Sequence, residues 1–118
     1  MLAGALAKLP EAANLDAEFR EAARLWNARL CLCADQQAHL VRIEDGRVVA
    51  VEDGAADYDV RISGPATGWG ELLAPVPRPF YQDLFGAMAH HGFAVDGDER
   101  SFHAYYPATR RLLELLRS

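Results

Sequence analysis

Val41-Arg42-Ile43-Glu44-Asp45-Gly46-Arg47-Val48 alternates apolar and polar residues into and out of an Asp-Gly dipeptide. Alternation at period two places one face of a strand in a core and the other in water. Asp-Gly suits a two-residue type I′ turn, whose central residues both need positive φ. The stretch therefore predicts a β-hairpin with strands over 38–44 and 47–52. Upstream, Arg29-Leu30-Cys31-Leu32-Cys33-Ala34 is apolar and too short for a helix, so it reads as a central strand turning at Asp35-Gln36-Gln37. Downstream, Asp53-Gly54 marks another turn. Tyr58, Val60 and Ile62 then alternate with Asp57, Asp59, Arg61 and Ser63, a half-buried strand. Four consecutive strands read as an antiparallel meander.

Helical periods flank these strands. Leu2, Leu6 and Leu9 form a short stripe that closes near Pro10, and Leu15, Phe19, Ala22, Ala23 and Trp26 form a second, with Asp16 as its cap. After Gly64-Pro65, Trp69, Leu72 and Leu73 line a short helix that stops before Pro75, Pro77 and Pro79. Pro79 opens the next helix, along which Phe80, Leu84, Met88 and His91 fall on one line up to Gly92. Phe93, Val95 and Gly97 make a short strand ending in a polar turn at Asp98-Glu99-Arg100. Pro107 opens a last helix with Ala108, Leu112, Leu115 and Leu116 inward and Arg110, Arg111 and Arg117 outward. The order predicts an α+β fold in which helices cover one face of a mainly antiparallel sheet.

With 118 residues, 51% of them apolar and 25% charged, the chain matches one globular domain over 1–118, with 1–14 as an N-terminal helical extension. Twelve Lys+Arg against 17 Asp+Glu give a net charge of −5. That balance argues against nucleic acid as a partner, because such binding rests on basic surface. No apolar run approaches bilayer-spanning length, so no stable membrane insertion is expected. Met1 to Leu9 lacks a basic n-region, and a cytoplasmic location is expected. Cys31 and Cys33 stand two apart with no second cysteine pair, which fits two small buried hydrophobes better than a disulfide or a zinc site.

The chemistry-bearing residues form no catalytic pattern. His90 and His91 are adjacent, so on a helix they diverge, and both suit its C-terminal end. His39 alternates with Val41 and Ile43, which sets an imidazole at the edge of the core. His103 precedes two tyrosines. Ser63, Ser101 and Ser118 lie in no nucleophile elbow, and no glycine-rich phosphate loop is present. Asp57 and Asp59 share what reads as a wet strand face. No catalytic residue, metal ligand or cofactor is assigned.

The apolar inventory leaves two readings open. Trp69, Phe80, Phe85, Met88, Phe93, Phe102, Tyr105 and Tyr106 crowd the last 50 residues. They either complete the core or line a cavity for an apolar ligand.

The order and spacing of these segments resemble the sterol-carrier-protein-type domain over roughly residues 15–117. Val41 to Val48 is similar to its Asp-Gly hairpin. Asp59-Val60-Arg61-Ile62-Ser63-Gly64 is similar to the strand that leads into its paired short helices. Phe93-Ala94-Val95-Asp96-Gly97-Asp98 resembles its late strand and Gly-Asp step, before a leucine-rich final helix. The chain departs from the family in its acidic balance and in the proline-rich stretch from Gly64 to Phe80, where the family typically has a basic step.

The resemblance implies a five-stranded sheet backed by helices and a hydrophobic tunnel that takes a fatty acyl, sterol-like or polyketide-like molecule without catalysis. The wall expected on that basis is Trp69, Phe80, Leu84, Phe85, Met88, Phe102, Tyr105, Leu112 and Leu116, with His103, Tyr105, Tyr106 and Arg78 at the mouth. Two other classes stay open. One is a structural or interaction domain that docks on a partner enzyme or forms a homodimer. The other is a small cone-shaped enzyme of the polyketide-cyclase type, pairing His39 or His103 with Asp57 or Asp59.

Overall fold

The computed structural model describes residues 2–117; Met1 and Ser118, which enter the sequence reading, lie outside the described residues. Five strands, β1 (Ala28–Ala34), β2 (Gln37–Glu44), β3 (Arg47–Asp53), β4 (Val60–Gly64) and β5 (Ala94–Gly97), form one sheet in the order β3-β2-β1-β4-β5. The Asp45-Gly46 hairpin forms as its chemistry requires, with φ of 50° and 76° at the two turn residues. A Cβ on Gly46 would also stand 2.7 Å from the Ala23 carbonyl oxygen.

The four-strand meander is corrected at its last member. β1, β2 and β3 do run antiparallel in succession, but β4 leaves β3 and lies parallel to β1. The period-two pattern of 58–63 specified a strand, and nothing in that pattern specifies its neighbour. β3 ends level with His39 and so with Leu32 of β1, two positions beyond Leu30 where β4 starts, and β2 and β1 lie between them, so residues 54–59 must run back across these two strands. Gly54 N–H donates to the Ala38 carbonyl at one end of this strap, and Asp59 N–H to the Arg29 carbonyl at the other. Tyr58 donates to Asp96 at 2.6 Å, and Arg61 lies 5.2 Å over the Tyr58 ring while pairing with the same carboxylate at 2.8 Å. Asp96 is held below the usual carboxylate range, first by the Tyr58 hydroxyl and then by Arg61. The strap thus passes over the face turned away from the helices, where Leu40 and Cys31 are buried.

The other face carries Leu30, Leu32, Val41, Ile43, Val60 and Ile62, all buried beneath the helical layer. That layer comprises α1 (Leu2–Ala7), α2 (Leu9–Leu15), α3 (Ala17–Ala22), α4 (Ala66–Leu72), α5 (Leu84–His90), α6 (Glu99–Ala104) and α7 (Tyr106–Leu116). Among the described residues no helix is long and apolar enough to cross a membrane.

Several boundaries differ from the sequence reading. Pro10 does not end the first helix; it sits in the first turn of α2, where a missing N–H is harmless. Leu15 is exposed at the end of α2, and Trp26 follows α3 in a loop. α5 begins at Leu84, capped by Asp83, and Phe80 precedes it with a φ of 67°. The polar run after β5 is the start of α6, with Asp98 accepting from Ser101 N–H as its cap. In α7, Leu113 is buried in place of the half-buried Leu115. Two arginines read as outward also work inward. Arg117 donates to the carbonyls of Leu72, Tyr81 and Gln82, and Arg111 binds both oxygens of Asp16 at 2.8 and 2.9 Å.

Asp16 has two tasks. It accepts from Phe19 N–H to cap α3, and it ties that helix to α7. The Arg111 hydrogen bonds, followed by the Phe19 amide, lower its pKa from 3.8 to about 2. Because the folded value lies below the unfolded one, this stabilisation is complete above about pH 5 and is lost as pH falls toward 2. Asp16→Asn should lower unfolding free energy by about 1–2 kcal/mol at pH 7, a figure reduced for solvent screening. Urea titrations at pH 7 and pH 2.5 should show the gap between variant and parent shrinking at the acidic pH.

Candidate functional site

Because β1 and β4 are parallel, their C-terminal ends lie together. The β1–β2 turn therefore neighbours the start of α4, which follows β4 through Pro65. Trp69 is fixed in this corner. Its indole N–H donates to the Cys33 carbonyl at 2.9 Å, and its ring meets the edge of Phe93 at 5.3 Å. Phe93 in turn packs where side chains on Gly64 and Gly68 would stand, which explains two glycines on either side of Pro65.

Between this corner and α1 lies a cleft of about 800 Å³ lined by Leu2, Ala3, Ala34, Asp35, Gln36, Gln37, His39, Ala66 and Trp69. A shallower depression of about 310 Å³ adjoins it under α1, sharing Ala3 and His39 and adding Leu6, Pro10, Val51 and Asp53. His39 faces the helices, as its alternation with Val41 and Ile43 predicts, and it is 8% exposed. Its Nδ1 lies 3.5 Å from a carboxylate oxygen of Asp53 at the end of the neighbouring strand. The walls are apolar and the polar groups gather at one side, an arrangement suited to holding a small amphipathic molecule.

Of the residues expected as a wall, only Trp69 borders this cleft. Leu84, Leu112 and Leu116 lie deep in the helical layer, at 3% exposure or less, with Phe102 close behind at 5%. Tyr105 is half-buried and stacks on Trp26 at 5.2 Å; the Trp26 indole N–H is buried without a partner. Phe85 is 45% exposed and forms an aromatic cluster with Phe102 and Tyr106, beside half-buried Met88. Phe80 is 50% exposed and stacks on His90 at 3.8 Å, while Tyr81 stacks on His91 at the same distance. Of the expected mouth residues, Arg78 is exposed and reaches only Glu71 at 3.9 Å, and His103 is exposed on α6.

The acid–base pairs considered from sequence are not assembled. Asp59 accepts from the Arg29 N–H and Asp57 pairs with the Arg29 guanidinium at 3.6 Å, whereas His39 meets Asp53. Among the described residues no group of three or more His, Cys, Asp or Glu is placed to hold a metal ion. Leu2, Ala3, Ala66 and Asp53, which line these concavities, were not among the wall or mouth residues expected from sequence. His39, an imidazole in an otherwise apolar alternation, was the one available pointer.

The class defined by this architecture is an α+β fold with a five-stranded mixed sheet covered on one face by helices. It is the sterol-carrier-protein fold. The chain is similar to sterol carrier protein 2, with a TM-score of 0.79 at 16% identity over 98% of this chain and 95% of that one. It is also similar to a conserved hypothetical protein from Thermus thermophilus, described as a candidate sterol carrier protein, with a TM-score of 0.72 at 16% identity over 97% of this chain and 85% of that one. A UbiJ-SCP2 ubiquinone synthesis protein gives 0.65 at 18% identity over 97% and 88%. No protein-family model and no curated protein matches the sequence.

Trp69→Phe should cost about 1–2 kcal/mol in unfolding free energy, because the part-buried hydrogen bond from the indole N–H to the Cys33 carbonyl is then lost. Urea denaturation followed by circular dichroism checks this.

Proposed function

We propose that the protein is a non-catalytic carrier that takes up an apolar small molecule between its sheet and its helices. The observation that supports this best is the cleft beneath α1, which leads from solvent to Trp69 and His39 on the inner side of the sheet. The likeness of fold to sterol carrier protein 2 agrees with it. In this reading the whole chain acts as one binding unit. The ligand enters over Ala3 and Ala66 and rests on Trp69. Leu84, Met88, Phe102, Tyr105, Leu112 and Leu116 form the interior wall met by a longer ligand, with Phe80 and Phe85 at its outer rim. The driving force is burial: removing about 300 Å² of apolar ligand surface from water is worth roughly 7 kcal/mol before the losses of association.

Exposed Val76, Phe80 and Phe85 favour a second reading, an interaction surface for a partner enzyme or a second copy. The two readings separate by mass. Native mass spectrometry of the protein as purified should show one apolar adduct per chain, and Ala66→Trp, which fills the cleft mouth, should remove it. A ligand-free dimer that also fails to take up a fluorescent fatty acid or fatty alcohol would refute the carrier reading in favour of the interaction domain.

A further inference from the structure

Resting on the carrier reading, we propose that the cleft selects a neutral, hydroxyl-bearing apolar molecule over its carboxylate or phosphate counterpart. His39 accepts the ligand's hydroxyl hydrogen, and Asp35 and Asp53 repel anions. Three observations converge on this.

The first is the state of His39. It lines both the cleft and the adjoining depression, it is 8% exposed, and among the described residues its ring makes no hydrogen bond, with an Asp53 carboxylate oxygen 3.5 Å from Nδ1. A buried polar ring without a close hydrogen bond is a site wanting a partner.

The second is its tautomer. A carboxylate on the Nδ1 side favours the proton on that nitrogen, which leaves the Nε2 lone pair as an acceptor. An alcohol or phenol can donate to it. An ionised carboxylate or phosphate monoester has only acceptors to offer the same lone pair.

The third is charge. Neither concavity is lined by a lysine or arginine, whereas Asp35 borders one and Asp53 the other. Low-dielectric walls focus that negative field on the space between. The chain's net charge of −5 acts in the same direction. An acyl-CoA, with several negative charges, is disfavoured most.

Retinol and retinoate test this directly, since they share one apolar body and differ in the head group. Each is titrated at pH 7.5 against the intact protein, with quenching of tryptophan emission as the readout, because Trp69 lines the cleft. Retinol should bind about tenfold tighter or more than retinoate. In His39→Leu, an apolar replacement on an apolar face, the preference should shrink to about twofold. Asp35→Asn changes one exposed side chain, leaves the Asp53 carboxylate beside His39 in place, and should raise retinoate affinity while leaving retinol unchanged. Retinoate binding as tightly as retinol, or a preference unaltered in these variants, overturns the selectivity and leaves the carrier reading standing. Failure of both probes to bind, alongside a ligand-free mass spectrum, overturns both.

Discussion

Placing β4 in parallel beside β1 has consequences in every layer of the molecule. After β3 the chain is separated by two strands from the place of β4 and is past its starting level, so residues 54–59 cross the outer face, and Leu40 and Cys31 end up buried on the side without helices. The Tyr58–Asp96–Arg61 cluster fastens that strap to the sheet. The helices are left with the opposite face alone. The same pairing brings the end of β4 beside the end of β1, so α4 starts next to the β1–β2 turn and Trp69 reaches the Cys33 carbonyl. The cleft is the space this corner leaves beneath α1.

Around the cleft, rigidity is unevenly distributed. Asp16 and Arg111 lock α3 to α7, and Arg117 holds the end of α4 and the 81–82 backbone through three carbonyls. Asn14 exchanges hydrogen bonds with the backbone of Val48, closing part of the β3 edge that would otherwise be free to pair. By contrast, α1 is six residues long and is set off from α2 at Lys8, which has no side-chain capping bond. This short helix is held by two buried side chains, Leu2 and Leu6. It is also the roof of the cleft.

Much of the fold was legible because local chemistry and tertiary outcome agree. Asp45-Gly46 adopts the two positive φ values its hairpin needs, Asp16 caps the helix it precedes, and Gly92 stops α5 at a φ of 73°. The parallel β1–β4 pairing was not legible, since alternation specifies a face and not a neighbour. Helix α6 was missed because a cap followed by charged residues looks like a turn when only one large apolar side chain, Phe102, is buried. The site was less legible than the fold. Aromatic density drew attention to 80–106, and much of that density is spent on mutual stacking, such as Phe80 with His90 and Phe85 with Tyr106. The cleft draws on alanines and a leucine from three separate segments, and small residues carry no sequence signature of the space they leave. His39 alone broke its pattern.

On the proposed function, a ligand enters at the β1–β2 corner beneath α1. A two-dimensional amide NMR titration of the labelled protein with an apolar alcohol such as retinol tests it most directly. The account predicts saturable shifts concentrated at Leu2, Ala3, Gln36, His39, Ala66 and the Trp69 indole N–H. Shifts confined instead to 76–90, or none at saturation, would contradict it.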